Sequence, residues 1–420
     1  MAERVYLNEA WSFGPKDTNE RETVRLPHTV KETPFHYFDE HIYQGVWSYT
    51  KKIDAKKEWK GKSVLLTFEG SGHDTEVSLN GESLGAHHCG YTAFSFDIGE
   101  KLDYGKENTL EVTVDSRESL NTPPFGFVID YMTYGGLYRE VYLDISEKEH
   151  LSDVFVYSEM QLSGPAKEAD ATIISEVKVS KEASEAENAK IVCKMSPIKA
   201  PEKEVLLFDI PVTDEKETYH TEAELMVKLW DIMAPRRYVL TYELYVGSEK
   251  KDEKKITTGF RKAEFTNDGF YLNGRRVKIR GLNRHQSYPY VGYAMPESMQ
   301  RLDADILKNE LGVNAARTSH YPQSHYFIDE CDKIGLMVFT EMPGWQHIGD
   351  AAWKDQAVQN TADMIRQYRN HPSIILWGVR INESPDDDAF YKRTNEMAHA
   401  LDPSRPTGGV RNIKKSHLYE

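Results

Sequence analysis

The feature that most constrains this chain is a change of rhythm after Thr266. From there, apolar runs alternate with amphipathic helical segments. "RVKIRGLN" reads as a strand, "PESMQRLDADILKNELG" as a helix opened by Pro296 and closed near Gly312, and "VNAARTSH" as a strand. "SHYFIDECDKIG" reads as a helix, "LMVFTEMP" as a strand, "KDQAVQNTADMIRQYRNH" as a helix stopped before Pro372, and "SIILWGV" as the next strand. "DAFYKRTNEMAHALD" then places Phe390, Thr394, Met397 and Leu401 at helical spacing, and "PTGGVR" is positioned to begin a fifth strand. Repeated β–α units with apolar strands demand a parallel sheet covered by helices. A (β/α) barrel is the simplest such solution. It must close to satisfy its edge strands, and four or five strands are fewer than the eight required. The barrel is therefore expected to be incomplete here, and the chain to be the N-terminal part of a longer protein.

Before this point the pattern is all β. From Val5 to Ile145 short alternating segments such as "KSVLLTFEG", "NTLEVTVD" and "REVYLDI" are separated by turn residues such as Asn80-Gly81, as in an antiparallel sandwich. From Leu151 to Thr266, "DATIISEVKVS", "AKIVCKM" and "RRYVLTYELYV" continue with lysine-rich loops between them. That length suits an immunoglobulin-like sandwich without the Cys…Trp…Cys pattern of antibody domains. The expected organisation is a β-sandwich at 1–147, a second sandwich at 148–264 and the barrel segment at 265–420.

Composition narrows the partners. The net charge of −15 argues against nucleic acid or an anionic membrane surface. No apolar run approaches the roughly 18–20 residues of a membrane span. The opening "MAERVYLNEAWSFG" lacks a basic segment followed by an apolar one, so no secretory signal is visible. Cys89, Cys193 and Cys331 lie far apart without metal-ligand spacing and read as reduced thiols of a cytoplasmic protein.

In a barrel the active site lies at the C-terminal ends of the strands. Those ends carry Asn283-Arg284-His285, then Arg317, Ser319, His320 and Tyr321, then Glu341 followed by Trp345 and His347, then Asn382-Glu383. Carboxylate, imidazole, amide and indole groups from four strands thus meet at one mouth, a pattern suited to glycoside hydrolysis. Cleaving an acetal needs a carboxylic acid to protonate the leaving oxygen and a second carboxyl group for the oxocarbenium-like centre. Glu383 suits the acid, with Trp377 expected beside it to raise its pKa by desolvation. Asn382 suits a sugar 2-hydroxyl, and Trp345 and Tyr321 offer flat faces to a pyranose. Asp386, Asp387 and Asp388 are expected at a helix N-terminus, where negative charge is favoured.

These motifs resemble glycoside hydrolase family 2, the family of β-galactosidases, β-glucuronidases and β-mannosidases, over essentially the whole chain. The resemblance rests on "LPHTV", "VSLNGESLGAHHCGYTAFSFDI", "YGGLYREVYL", "KLWDIMAPRRYVLTYEL", "TGFR", "DGFYLNGRRVKIRGLNRHQ", "NAARTSHYP", "CDKIGLMVFTE" and "ILWGVRINES". It implies a jelly-roll sugar-binding domain, an immunoglobulin-like domain and a TIM barrel. It also implies Glu383 as acid/base, Asn382 as the 2-hydroxyl contact and His285 and His320 as sugar-subsite histidines. Asp130 is implied as an aspartate reaching from the first domain to hold the sugar. The nucleophilic glutamate is expected beyond Glu420. Metal-dependent β-galactosidases of the family place a glutamate and a histidine after strand three to hold magnesium. Trp345 and His347 stand there instead, so no metal or other cofactor is expected. Arg380 and Ile381 also precede Asn382 where a small residue is commoner.

The implied activity is a retaining exo-β-glycosidase acting on terminal β-D-galactosides, possible as a homo-oligomer, with carbohydrate as its partner. A β-glucuronidase of the same family and a non-catalytic carbohydrate-binding protein are the competing readings.

Overall fold

Alternation of side chains builds the first unit. Glu107–Asp115 turns Asn108, Leu110, Val112 and Val114 inward and the residues between them outward. It pairs antiparallel with Val46–Asp54 and Asp74–Leu79 inside a six-stranded sheet. A four-stranded sheet containing Ser63–Phe68 and Val141–Ser146 completes the sandwich. Their shared core includes Trp11, Tyr49, Leu66, Val112 and Leu143. The computed structural model describes residues 3–33, 35, 39–213 and 216–412. The expected barrel segment therefore ends in eight residues, 413–420, that lie outside the described residues.

The second unit is also a two-sheet sandwich. Leu151–Glu159, Glu168–Val179 and Thr218–Lys228 form one sheet. Val205–Pro211, Ala189–Pro197, Tyr238–Val246 and Glu249–Thr258 form the other. Ile173, Val177, Ile191, Leu240 and Tyr242 fill the space between them. The strand pattern stops at Thr258, short of the Thr266 expected. Ala263–Thr266, Gly269–Leu272 and Arg275–Arg276 instead make a separate small antiparallel sheet. The expected boundary at 264/265 thus falls inside the first of these strands. Phe270, Leu272 and Val277 pack with Ala315, Met337 and Ile375, which lie at the N-terminal ends of barrel strands. This sheet plugs that end, so "RVKIRGLN" becomes a barrel strand only from Gly281.

The parallel sheet runs in the order β1 (Gly281–Arg284), β2 (Ala315–Thr318), β3 (Met337–Glu341), β4 (Ile374–Gly378), β5 (Thr407–Gly408). The helices between them are α1 (Glu297–Asp305), α2 (His325–Ile334), α3 (Ala351–Tyr368) and α4 (Asp388–Leu401). A π-helical turn, Ile306–Glu310, extends α1, and Gly335 in the left-handed conformation ends α2. β1 and β5 each have one neighbour, so the sheet is open among the described residues. Leu282 on β1 and Ile279 just before it are exposed, unlike the residues of β3 and β4. No described helix is long and apolar enough to cross a membrane.

Candidate active site

Parallel pairing aligns the strand ends. Arg284 pairs with Thr318, Thr318 with Thr340, and Glu341 with Gly378. Gly378 makes room for Glu341, because a Cβ there would lie 2.3 Å from the glutamate's Cβ. Glu341 is completely buried, and a bare carboxylate in that position would be strongly destabilising. Arg317 compensates it: Nη2 donates to Oε1 at 2.8 Å and Oε2 at 2.9 Å, and Nε donates to Oε2 at 3.1 Å. Nη2 also reaches Asn382 Oδ1 at 2.7 Å. One guanidinium thus joins β2, β3 and the segment after β4.

These bonds fix what the remaining polar atoms present. His320 Nδ1 lies 2.8 Å from Glu341 Oε1, so it carries the proton and donates to the carboxylate. The 3.2 Å approach of Arg317 Nη2 to that nitrogen is then a contact between two donors. Nε2 is left for a ligand. Asn382, 2% exposed, spends its oxygen on Arg317, so its NH2 group is left to donate. His285 Nδ1 sits 3.1 Å from the Tyr321 hydroxyl. Burial, aided by His320 and Arg317, pushes the His285 pKa down from 6.5 to about 4, so the ring is neutral near pH 7.

The first sandwich supplies a wall. The ring of Tyr131 lies 5.0 Å from that of His285, 5.8 Å from His320 and 5.5 Å from Tyr321. Asp130 precedes it and is exposed at the same edge. Behind them Arg139 Nη2 donates to Gln286 Oε1 at 3.0 Å, and the Tyr293 hydroxyl donates to the Met132 carbonyl at 2.8 Å. Trp345 is half-buried against the first sandwich's core, and its backbone bridges to Asn382.

Several expectations change here. Tyr321 is no sugar platform: it is fully buried and stacked on Tyr91 at 4.3 Å. Trp377 does not desolvate Glu383. Its indole is buried on the helix side among Ile374, Val379 and Ala398, and donates to Asp402 Oδ2 at 2.8 Å. Glu383 itself is exposed, with φ +53, and Oε2 accepts from Gln346 Nε2 at 3.1 Å. Of the three aspartates, Asp387 caps α4 by accepting from Phe390 N–H, and Asp388 lies in its first turn. Asp386 instead pairs with Arg380 at 2.7 Å. That explains how the large Arg380 is accommodated, since its guanidinium also lies over the Tyr391 ring. Reasoning from sequence passed over the hub role of Arg317, the wall formed by Tyr131 and the contact from Gln346. Arg317 could have been suspected as a cation on a strand end next to the strand that ends in Glu341.

Two family descriptions match the chain. "Glycosyl hydrolases family 2, TIM barrel domain" covers residues 263–418, and "Glycosyl hydrolase 2 galactose-binding domain-like" covers residues 28–123. The chain belongs to glycoside hydrolase family 2. It is 46% identical to a β-galactosidase of Thermoanaerobacter pseudethanolicus, across 99% of this chain and 55% of that protein. It is 45% identical to a β-galactosidase of Thermoanaerobacterium thermosulfurigenes, across 100% of this chain and 60% of that protein. Among solved structures, Bacteroides uniformis β-glucuronidase 2 covalently bound to cyclophellitol-6-carboxylate aziridine superposes with a TM-score of 0.82 at 27% identity. That match covers 97% of this chain and 52% of the other. The chain therefore spans little more than half the length of the curated relatives it matches. These likenesses accord with the family expected from the sequence motifs.

Proposed function

We propose that this chain carries the acid/base half of a retaining exo-β-glycosidase acting on terminal β-D-galactosides. The observation that carries the proposal is the Arg317 hub, which presents the Asn382 NH2 group beside Glu383 at the barrel mouth. Glu383 protonates the departing glycosidic oxygen and then, as a carboxylate, deprotonates the attacking water. Asn382 donates to the sugar 2-hydroxyl. His285, His320, Asp130 and Trp345 surround the glycone, Asp130 bringing the first sandwich into the subsite and Trp345 packing against that sandwich's core. The nucleophile is a second glutamate outside these residues. Glu341 does not suit that role, because both its oxygens are held by Arg317 and His320. The first unit then acts as the jelly-roll domain, the second as an immunoglobulin-like spacer, and the parallel sheet as part of a closed barrel.

The β-galactosidase relatives at 45–46% identity favour a galactoside over a glucuronide. Arg317, committed to Glu341 and Asn382, is not available to a hexuronate carboxylate. The residues do not fit a magnesium ion beside Glu383. Trp345 offers no oxygen ligand, and the His347 ring is packed edge-on against Trp353 at 5.6 Å. The three-residue grouping Asp329, Asp332 and His371 lies at the opposite end of the strands. The test is turnover of matched aryl β-galactoside and β-glucuronide by the full-length chain, before and after dialysis against a chelator. We expect galactoside hydrolysis that chelation leaves unchanged. Glucuronide preference would overturn the substrate assignment, and reversible loss on chelation would overturn the metal-free site.

A further inference from the structure

The first sandwich sends one loop across the barrel mouth, and it is clamped. Asn121 Nδ2 donates to both carboxylate oxygens of Asp350 at 3.2 and 3.1 Å. The Phe125 carbonyl accepts from the Trp353 indole at 2.9 Å. Gly126, at φ +125, lies so close to His347 that a Cβ there would meet Nε2 at 2.2 Å. Further along, Ile129 packs against the sandwich core and Tyr131 enters the site. Between the two anchorages Phe127 is 62% exposed and Val128 is 69% exposed. Two adjacent apolar side chains standing in water on a fixed segment are a surface held ready for something apolar.

Their location identifies the occupant. Gly126 touches His347, and the neighbouring Gln346 donates to the Glu383 carboxylate at 3.1 Å. Phe127 therefore stands on the side of the mouth where Glu383 lies. On the acid/base reading, which this inference rests on, Glu383 delivers its proton to the oxygen of the leaving group. The space on that side of the carboxylate belongs to the aglycone. We propose that Phe127 and Val128 form an apolar platform for the aglycone, giving the enzyme a preference for β-glycosides of extended alkyl or aryl alcohols over those of small alcohols. Tyr131 on the same loop packs against His285 and His320, so a single segment borders both halves of the substrate.

The test compares methyl and hexyl β-glycosides of whichever sugar the full-length enzyme turns over. Their leaving alcohols have similar acidity, so the ratio of kcat/KM reports contact and not proton transfer. We expect the hexyl preference to fall about tenfold in Phe127→Ala, and further in Phe127→Ala/Val128→Ser, with the methyl glycoside unchanged. An unchanged preference, or equal losses on both substrates, overturns the platform. Loss of an oligomer by gel filtration without a change in preference also overturns it, assigning the tip to a subunit contact. Calorimetry with methyl and hexyl thioglycosides repeats the comparison without any chemical step. A hexyl preference that survives Phe127→Ala there sinks the platform whatever the role of Glu383. Full activity of Glu383→Gln sinks the acid/base reading separately.

Discussion

The guanidinium of Arg317 meets a carboxylate, an imidazole and an amide that come from three consecutive strand ends. In water such a cluster would be loose, but here Glu341 is wholly buried and the geometry is bidentate. Removing one partner leaves a buried charge uncompensated, which typically costs about 3–5 kcal/mol. Arg317→Met is therefore expected to lower stability by about that amount in urea unfolding. The double variant Arg317→Met/Glu341→Leu should recover much of the loss while activity stays low, because Asn382 remains unoriented. Recovery of activity with stability would remove the hub from the site. The residue scale is also where the sequence was hardest to read. Asn382 and Glu383 stood out because a polar pair ends an apolar strand. Tyr321 and Trp377 were misplaced because an aromatic's depth depends on which face of the sheet it leaves, and alternation is silent in a strand buried on both faces.

At the scale of elements, the loop between Asn121 and Tyr131 brings the first sandwich against the candidate active site. Its backbone at Gly126 cannot accept a side chain without moving His347. Gly126→Ala should cost about 1–3 kcal/mol in strain and weaken substrate binding, as the loop shifts. Asp130→Ala removes an exposed carboxylate. We expect an unchanged Tm and a KM raised about tenfold, the loss of roughly one charged hydrogen bond. A collapse in Tm with KM unchanged would make Asp130 structural and break the cross-domain contact. The barrel elements themselves were legible, since caps, glycine stops and apolar runs are local signals. Gly335 ends α2 and Asp387 caps α4 as such signals require. The plug sheet was hidden, because "RVKIRGLN" has one continuous strand-like pattern and only tertiary packing divides it at Gly281.

Over the whole molecule, buried and half-buried histidines set an acid limit. His28, His73, His87 and His285 are pushed by burial from 6.5 to about 4. The unfolded chain therefore binds these protons first as pH falls, so their contribution is fully present above about 6.5 and is lost progressively toward 4. His371 runs the other way: despite burial, its ion pair with Asp332 raises its pKa, stabilising the fold at lower pH. With four against one, Tm should fall as pH drops from 6.5 to 4, and His73→Gln should flatten the slope. A flat Tm across that window would contradict histidines held neutral by desolvation. On the proposed mechanism, Glu383 supplies the proton that releases the aglycone. Single-turnover glycosylation by Glu383→Gln in the full-length enzyme tests it on two β-galactosides, one with an alkyl and one with an activated aryl leaving group. We expect a loss of about 10²–10⁴-fold on the alkyl galactoside and a much smaller loss on the aryl one, which needs little protonation. Equal losses on both would contradict it.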